Sequence, residues 1–401
     1  MKDYLMKTYN RKPVSFVRGE GIYLYDDNNK KYIDALCGLA VTSLGHSNKE
    51  ITEVLESQSS SLIHTSNAFQ IEPQQKLAKR LCQLSGMSTA FFCNSGAEAV
   101  EASIKIARKF GNDKNVHSPK ILVMENSFHG RTMAALSATG SAKSHAGFTP
   151  LVDGFVRVPF NDIDSVKEAL DLHKDIVAVL LEPIQGEGGI VIPSHGYLYN
   201  LREITREKDI LLMIDEVQSG FCRTGKWFAH QHENIIPDVI TIAKALGNGV
   251  PIGACLAANH ASDILIPGSH GSTFGGNFLS CSVGLKVLDI MRDQQICVNA
   301  REMGNLFHNE LMKRLSEKKS VVDIRCKGLM IGIELKNDCT TMGGTFLEHG
   351  LVVNITKGNI IRMLPPLIIN KNQVHDIIDI LDKIIESVSY THLTLPTTSC
   401  V

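Results

Sequence analysis

The sequence predicts an α/β protein with a large domain, built on a mostly parallel mixed sheet between helices, and a smaller α+β domain. Two observations predict this architecture. Seven short apolar runs alternate with helix-like segments from about residue 90, and the two ends of the chain carry a different pattern. A chain of 401 residues that is 43% hydrophobic also has enough apolar surface for more than one core.

The seven apolar runs are the predicted strands of the large domain, which we place at residues 46–284. Their apolarity is unbroken rather than alternating, as expected for parallel strands that are covered on both faces. Helical patterns such as DIDSVKEALDLH lie between them. In chain order, the predicted strands are AFFCN, ILVMEN, FVRVPF, IVAVLLEPI, ILLMIDEV, VITIAKAL and GACLAA.

The two ends of the chain are predicted to form the small domain together, from residues 1–45 and 285–388. GIYLYDDNNKKYIDAL has the polar turn of a hairpin, and the segment after residue 284 contains a long helix and the runs VVDIRCKGLMIGIEL, LVVNI and NIIRML. A last helix begins after Asn370, a plausible N-cap, and ends near Val388. Residues 389–401 are rich in Thr and continue no periodicity, so we predict that they are a non-native tail.

Composition narrows the classes of function. The chain has 41 Lys and Arg against 42 Asp and Glu, so its charge indicates neither nucleic acid nor an anionic membrane as a partner, and small molecules are expected instead. The ten cysteines show no Cys-x-x-Cys spacing and the first residues lack an apolar signal, which indicates a reduced, cytoplasmic compartment. The apolar runs are far shorter than the roughly 20 residues of a membrane helix.

Ser95 and Glu98 form a predicted capping box at a helix that starts directly after a strand. The N-terminus of this helix is therefore expected at the carboxyl edge of the sheet, where its free N–H groups and its dipole can bind an anion. Gly96 would let a phosphate approach the backbone closely. Taken alone, such a stretch is more often a capped helix without a ligand.

Asp215 and Lys244 each follow a strand-like run and are 244 − 215 = 29 residues apart, about one strand-helix-strand unit. Both are therefore expected at the same edge of the sheet. A carboxylate there needs a positive partner, which could be a metal, a protonated heterocycle or an arginine. Burial would lower the pKa of Lys244 and supply the free amine that a Schiff base requires. Pyridoxal phosphate (PLP) has the phosphate, ring nitrogen and aldehyde that satisfy all three stretches together.

Two further motifs predict no site. Residues 220–226 fit the spacing G-x-x-x-x-G-K, but a phosphate loop also needs Ser or Thr after the lysine, and Trp227 follows instead. His230 and His232 are two residues apart without nearby thiols or a third ligand, which is weak for a metal site. We therefore assign no metal.

Seven motifs occur in an order that is typical of one enzyme family: SGAEA, SFHGRT, EPIQGEGG, IDEVQSGFCRTGK, AKALGNGVPIGA, HGSTFGGN and IIRMLPPL. On these motifs the chain resembles the class III, fold-type-I aminotransferases, from about residue 10 to residue 388. The resemblance implies the fold of PLP-dependent transferases of fold type I, with PLP as the cofactor. It also implies a homodimer whose active sites are shared between the subunits.

The resemblance implies a role for each of a set of residues, with Lys244 and Asp215 as the catalytic pair. The expected cofactor-binding residues are Ser95, Gly96 and Ala97 at the phosphate, Phe128, His129 and Val217 around the ring, Asp215 at the ring nitrogen, Gln218 at the phenolic oxygen, Lys244 at the aldehyde, and Thr273 reaching the phosphate from the neighbouring subunit. The expected substrate-binding residues are Arg131 for the carboxylate of the amino donor, Ser272 at the same substrate, Arg362 for the α-carboxylate of glutamate or 2-oxoglutarate, and Glu187 as the alternative partner of Arg362.

The sequence departs from the family pattern at three positions. Val100 stands where the family usually has Asn, Cys222 where it often has Gly, and Phe278 where Pro usually follows GGN. None of the three is an assigned site residue. Phe278 is close enough to the GGN loop to alter the expected subunit contact.

The implied reaction transfers the ω-amine of N2-acetyl-L-ornithine to 2-oxoglutarate, which places the enzyme in arginine biosynthesis. Ornithine, succinylornithine, succinyldiaminopimelate and 4-aminobutyrate are alternative donors, because the same cofactor residues would serve them. An aminomutase would not need a dicarboxylate acceptor, so Arg362 with Glu187 argues against it. The intact Lys244 and Asp215 argue against a catalytically silent binding protein of the same fold.

Overall fold

The computed structural model describes residues 4–391 of the chain. None of the helices in this range has the length and apolarity of a membrane span. The strands are β1 (Phe16–Glu20), β2 (Tyr23–Asp26), β3 (Lys31–Asp34), β4 (Thr89–Cys93), β5 (Lys120–Met124), β6 (Phe155–Val158), β7 (Ile176–Leu181), β8 (Leu211–Asp215), β9 (Val239–Ile242), β10 (Gly253–Ala257), β11 (Val321–Lys327), β12 (Met330–Leu335), β13 (Leu351–Val352), β14 (Asn354–Thr356) and β15 (Ile360–Met363).

The helices surround and connect these strands. They are α1 (Cys37–Ala40), α2 (Lys49–Ser61), α3 (Glu72–Ser85), α4 (Gly96–Asp113), α5 (Met133–Ala138), α6 (Ala142–His145), α7 (Ile163–Leu172), α8 (Tyr197–Glu207), α9 (Phe278–Asp293), α10 (Ile296–Leu315), α11 (Met342–Glu348) and α12 (Lys371–Thr391), with short 3-10 turns at Ala229–Glu233, Lys244–Leu246 and Asn259–Ala261.

The seven predicted strands of the large domain are confirmed as β4 to β10, and they form one sheet in the order β4-β10-β9-β8-β7-β5-β6. Strands β9, β8, β7, β5 and β6 run parallel, whereas β10 is antiparallel to both of its neighbours. Every residue of β7, β8, β9 and β10 is buried. The mostly parallel mixed sheet between helices is thus confirmed, and the burial on both faces explains the unbroken apolarity of these strands.

The carboxyl ends of the parallel strands bring the predicted chemical residues to one edge. Asp215 is the last residue of β8, and Lys244 follows β9 after a single residue. Strand β4, which runs in the same direction, leads through Ser95 into α4. The prediction that Asp215 and Lys244 lie at the same edge as the start of α4 is therefore confirmed.

The two ends of the chain meet in hydrogen-bonded structure. The predicted hairpin is confirmed as the antiparallel pair β2–β3, and β3 also pairs in parallel with β13, Ile33 opposite Leu351. A second four-stranded sheet has the order β11-β12-β15-β14. The boundaries placed at residues 46 and 284 stay a prediction, and α9 runs through residue 284.

The last helix is longer than predicted. It begins after Asn370, whose side chain accepts a hydrogen bond from the Gln373 N–H at 3.1 Å, as expected of a cap. It continues to Thr391 rather than ending near Val388, because the composition changes at Ser389 but no Gly or Pro interrupts the chain between Val388 and Thr391. Apolar residues at helical spacing form its buried face, and they are Val374, Ile377, Ile378, Leu381, Ile384 and Ile385. Residues 392–401 of the predicted non-native tail lie outside the described range.

Candidate active site

A cavity of about 470 Å³ opens at the carboxyl edge of the large sheet. Most of the predicted site residues line it, and several residues without a predicted role join them there. The predicted residues that line this cavity are Ser95, Gly96, Ala97, Phe128, His129, Arg131, Asp215, Val217, Gln218 and Lys244. Residues from four separate segments of the chain thus converge, as expected for an edge where parallel strands end.

The start of α4 forms one end of the cavity. Ser95 Oγ accepts from the Glu98 N–H at 3.2 Å, which confirms the cap, although the Glu98 carboxylate returns to the Asn94 N–H at 2.8 Å rather than to that of Ser95. The N–H groups of the first helical turn have no partners within the helix and can bind an anion. A Cβ atom on Gly96 would lie 2.8 Å from Val217 Cγ1, so only glycine lets these two walls approach so closely.

Asp215 forms the acidic wall and is held by three neighbours. Its Oδ2 atom lies 2.8 Å from His129 Nδ1, and Oδ1 accepts from Thr241 Oγ1 and from the Val217 N–H, both at 3.1 Å. The carboxylate is buried and faces the cavity. A positively charged group in the cavity would therefore meet an oriented, desolvated carboxylate.

Lys244 reaches the same cavity from a strained backbone. Its φ of 44° lies in the left-handed region, which is unusual for a residue with a side chain and is often found at functional sites. Burial lowers the pKa of Lys244, and the Arg362 guanidinium lowers it further, while the carboxylates of Glu187, Asp215 and Glu182 act in the opposite direction. The predicted lowering of the Lys244 pKa by burial agrees with this environment.

Glu182 lines the cavity as well, and sequence reasoning missed it. The residue follows β7, and its carboxylate accepts from the Phe128 N–H at 2.9 Å and from the Gly186 N–H at 3.1 Å. Burial raises the pKa of Glu182 to about 7, and the Asp215 carboxylate acts in the same direction. A signal was present in the sequence, because Glu182 comes directly after the apolar residues of β7, just as Asp215 comes after those of β8.

The mouth of the cavity carries a cation beside an aromatic ring. The guanidinium carbon of Arg131 lies 5.3 Å from the centre of the Phe128 ring. Arg131 is exposed, whereas Phe128 is half-buried and lines the wall. This arrangement suits an arginine that meets an incoming carboxylate at the entrance.

Arg362 and Glu187 form an ion pair near Lys244. The Nη1 and Oε1 atoms are 2.7 Å apart, and the side chain of Arg362 is 1% exposed whereas that of Glu187 is 37% exposed. The predicted pairing of these two residues is present in the structure. Their contact is close but is not aligned as a hydrogen bond, since Nη1 has no hydrogen-bond partner among the described residues.

Ser272 and Thr273 do not line the cavity of their own chain. Ser272 Oγ accepts from the Gly275 N–H at 3.0 Å, and Ser272 lines a smaller cavity of about 230 Å³ together with Asn67 and His270. Thr273 is exposed. The expected role of Thr273 in the neighbouring subunit stays a prediction, and so does the contact of Ser272 with substrate.

The remaining motifs have structural partners. His230 Nδ1 lies 3.1 Å from Glu216 Oε1, and His232 Nε2 lies 3.1 Å from Thr224 Oγ1. Within residues 4–391, no three His, Cys, Asp or Glu side chains group as metal ligands. Cys222, at a position where Gly is frequent in the family, has a φ of 66°, which is a conformation that favours glycine.

The cavity fits PLP on features of the chain itself. Two buried polar atoms on its walls, Gln218 Oε1 and His129 Nε2, have no hydrogen-bond partner among the described residues. Such atoms are costly unless a ligand or water satisfies them. An anion site, an oriented carboxylate and an amine of lowered pKa surround the same space, and these are the groups that PLP needs for its phosphate, ring nitrogen and aldehyde.

Comparison with known proteins agrees with this reading. The family model described as aminotransferase class III matches residues 4–385, so the chain belongs to the class III aminotransferases, which are PLP-dependent enzymes. It is 48% identical, over 94% of this chain and 95% of the relative, to the acetylornithine aminotransferase of Nitrosomonas europaea.

Solved structures are similar over nearly the whole chain. The acetylornithine aminotransferase from Elizabethkingia anophelis is 36% identical with a TM-score of 0.86, and the match covers 96% of each chain. The ornithine aminotransferase from Toxoplasma gondii is 32% identical with a TM-score of 0.93, covering 97% of this chain and 94% of that one. The fold predicted from the sequence is thereby confirmed.

Proposed function

We propose that this aminotransferase moves the ω-amino group of N2-acetyl-L-ornithine to 2-oxoglutarate, which yields N-acetyl-L-glutamate 5-semialdehyde and L-glutamate. The names of the relatives support this donor. The observation that carries the proposal is the ion pair between Arg362 and Glu187, 2.7 Å apart and near Lys244. An arginine there suits the α-carboxylate of a dicarboxylate substrate.

The residues around the cavity divide the chemical work. PLP, when bound, supplies an electrophilic aldehyde and a ring that withdraws electrons from the substrate carbon. Lys244 is expected to hold the aldehyde through its amine and, when displaced by substrate, to move a proton between the substrate carbon and the cofactor carbon at its Nζ atom. Asp215, oriented by His129 and Thr241, is expected to keep the ring nitrogen protonated.

The remaining cofactor contacts would fix the ring and the phosphate. Gly96 and Ala97 offer the phosphate the main-chain N–H groups that the Ser95 cap of α4 leaves free, while Phe128 and Val217 lie on the walls between which a flat ring would fit. Gln218 offers a buried amide to the phenolic oxygen. Together these contacts would orient the reacting carbon toward Lys244.

Glu187 lets one site serve two unlike substrates. A donor without a carboxylate at this position leaves Arg362 paired with Glu187, whereas the α-carboxylate of glutamate or 2-oxoglutarate takes the place of Glu187. The exchange avoids a buried guanidinium without a partner, which would cost about 3–5 kcal/mol. Arg131, at the mouth of the cavity, would bind the carboxylate of the ω-amine donor.

The proposal also covers the oligomeric state of the enzyme and its location in the cell. We propose a cytoplasmic homodimer, in which Thr273 of one subunit completes the phosphate site of the other. The exposed Phe274 beside Thr273 supports the subunit contact, and ten cysteines without Cys-x-x-Cys spacing support a reduced compartment. Small-molecule substrates, rather than nucleic acid or a membrane, are the expected partners.

Free ornithine is the second candidate donor, because the structure with a TM-score of 0.93 is an ornithine aminotransferase. The experiment that separates the donors is a rapid-mixing measurement of the cofactor absorbance with N2-acetylornithine, ornithine, succinylornithine and 4-aminobutyrate in turn. We expect the apparent second-order rate constant for cofactor conversion to be at least tenfold higher with N2-acetylornithine than with ornithine. This ratio corresponds to a transition-state preference of about 1.4 kcal/mol.

The control for this experiment is Lys244→Ala. This variant should still bind PLP but should not convert it with any donor, because the amine that moves the proton is absent. A faster conversion of the wild type with another donor would contradict the proposed substrate and leave the enzyme class unchanged. Unchanged conversion in Lys244→Ala would contradict the role of Lys244.

A further inference from the structure

Arg362 lies on β15, between two strands that present different neighbours. On β14 the directly opposite residue is Asn354, and on β12 it is Gly332. Residues that are directly opposite in antiparallel strands have their side chains on the same face of the sheet. Of these two cross-strand neighbours, only Asn354 therefore presents a side chain to the guanidinium of Arg362.

Asn354 holds one side of this guanidinium. Its Oδ1 atom accepts from Arg362 Nη2 at 2.8 Å and from Arg362 Nε at 3.2 Å. These two nitrogens form one of the two forks through which a guanidinium binds a planar acceptor. The other fork, formed by Nη1 and Nη2, is the one that a carboxylate can still engage, and Nη1 is the atom that meets Glu187.

The acceptor on Asn354 orients the arginine without cancelling its charge. An amide oxygen is neutral, whereas a carboxylate at the same place would form a permanent buried ion pair with Arg362. The positive charge therefore remains available to whichever carboxylate occupies the second fork. Two partners of similar charge can then exchange there, which a fixed third carboxylate would prevent.

Thr356, which is also on β14, holds the backbone of Glu187, the residue that pairs with Arg362. It lies two residues after Asn354, so both side chains are on one face of β14. The Thr356 hydroxyl donates to the main-chain oxygen of Glu187 at 2.7 Å. This bond holds the backbone of Glu187 and leaves its partly exposed carboxylate free to turn away from Arg362.

We propose that Asn354 is a neutral positioning residue that keeps one fork of Arg362 occupied and the other open to the α-carboxylate of the dicarboxylate substrate, with Thr356 anchoring the Glu187 backbone. This inference rests on the proposed function, because it takes Arg362 as the residue that binds that carboxylate. It predicts that replacing Asn354 weakens the binding of L-glutamate and leaves the binding of the ω-amine donor unchanged.

The test compares two half-reactions in Asn354→Asp and Asn354→Leu. With L-glutamate, we expect the apparent KM to rise at least tenfold in Asn354→Leu and further in Asn354→Asp, with limiting rates within threefold of the wild type. With the ω-amine donor, both parameters should stay within threefold. Binding of glutarate, a dicarboxylate that cannot react, should weaken by the same factor as L-glutamate when it is measured by calorimetry.

The matched control is Asn370→Asp, which adds the same charge at the N-cap of α12. Asp caps a helix as well as Asn does, so this variant should leave both half-reactions unchanged. Unchanged glutarate binding in both Asn354 variants, or equal losses for L-glutamate and the ω-amine donor, would overturn the proposal.

The same measurements separate this inference from the proposed donor. Glutarate binding and the L-glutamate half-reaction do not depend on which ω-amine the enzyme prefers. If another donor proves faster than N2-acetylornithine, the Asn354 result stands by itself. A wild-type enzyme that binds neither L-glutamate nor glutarate would overturn both proposals.

Discussion

The carboxylates of Glu182 and Asp215, at the carboxyl ends of β7 and β8, lie in one cavity but have different partners. Asp215 contacts the His129 ring and the Thr241 hydroxyl, whereas Glu182 accepts from two backbone N–H groups. Burial raises the pKa of Glu182 to about 7. At neutral pH, the charge of this residue is therefore sensitive to small changes in its surroundings.

Replacement of Glu182 by Gln should change how stability depends on pH. The pKa of Glu182 rises from its ordinary value of 4.5 to about 7 in the folded state. Between these pH values the carboxyl group ionises in the unfolded chain but stays protonated in the folded one. The stability that Glu182 contributes is therefore full below pH 4.5 and is lost as the pH rises through about 7. Gln does not titrate. Relative to the wild type, the free energy of unfolding of Glu182→Gln should therefore increase by about 3 kcal/mol between pH 4.5 and 7.5.

Urea unfolding of the cofactor-free proteins at several pH values measures this difference. Gln cannot accept from both backbone N–H groups, but that cost is the same at every pH and does not affect the slope. Glu207→Gln, at an exposed position at the end of α8, serves as the control and should show no such trend. A difference between Glu182→Gln and wild type that stays constant with pH would contradict the expectation.

A site residue could be predicted from the sequence where it comes directly after an apolar run that is typical of a buried strand. Asp215 and Lys244 were found because each follows an apolar run, and the sheet places them together. Asn354 could not be found in this way, because its contact with Arg362 depends on the register between β14 and β15. No spacing along the chain specifies that register.

The apolar pattern of β10 predicts that a strand is present but does not predict its direction in the sheet. Its run was predicted as a strand because its apolarity is unbroken, but this pattern is the same for a parallel and an antiparallel strand. The structure inserts β10 antiparallel between β4 and β9, with Gly253 opposite Cys93. This direction brings the start of β10 against the residues that lead into α4.

Gly253→Ala should disturb the start of α4. A Cβ atom at residue 253 would lie 2.4 Å from the main-chain oxygen of Ser95 and 2.8 Å from its carbonyl carbon, and this backbone has little room to adjust. We expect a loss of about 1–3 kcal/mol of stability, together with weaker binding of PLP, because the Ser95 cap would move. Urea unfolding and titration of the cofactor-free protein with PLP measure the two effects.

Gly344→Ala is the matched control for this substitution. Gly344 lies within α11, and a Cβ atom there would meet no heavy atom within 4 Å. Alanine also favours a helix over glycine by up to about 1 kcal/mol, so stability should be unchanged or slightly increased. Equal stability and equal PLP affinity of Gly253→Ala and Gly344→Ala would show that the contact with Ser95 does not constrain residue 253.

The molecule as a whole exposes an apolar surface around the residue expected to cross to a second subunit. Phe274, next to Thr273, is 61% exposed, and Phe69 is 71% exposed. The two segments lie against each other, because Asn67 donates to the main-chain oxygens of Ser272 and Gly275. Exposed apolar patches of this kind are typical of protein interfaces, which supports the proposed homodimer.

Phe274→Glu should weaken this assembly, because it places a charge in the proposed apolar contact. We expect a shift from dimer to monomer in light scattering at micromolar concentration, with a loss of PLP affinity if Thr273 serves the partner. Leu172→Glu, on a side chain that is 77% exposed at the end of α7, should leave both unchanged. A Phe274→Glu variant that remains dimeric with normal PLP affinity would contradict the proposed contact.

The pairing of β3 with β13 has a consequence for the order in which the chain acquires its structure during synthesis. Ile33 and Leu351 are partners across 351 − 33 = 318 residues, so β3 is translated long before β13. The strands of the seven-stranded sheet are all translated before β13. One edge of the hairpin β2–β3 therefore stays unpaired until β13 has been translated, and a chaperone that binds nascent chains would meet that edge.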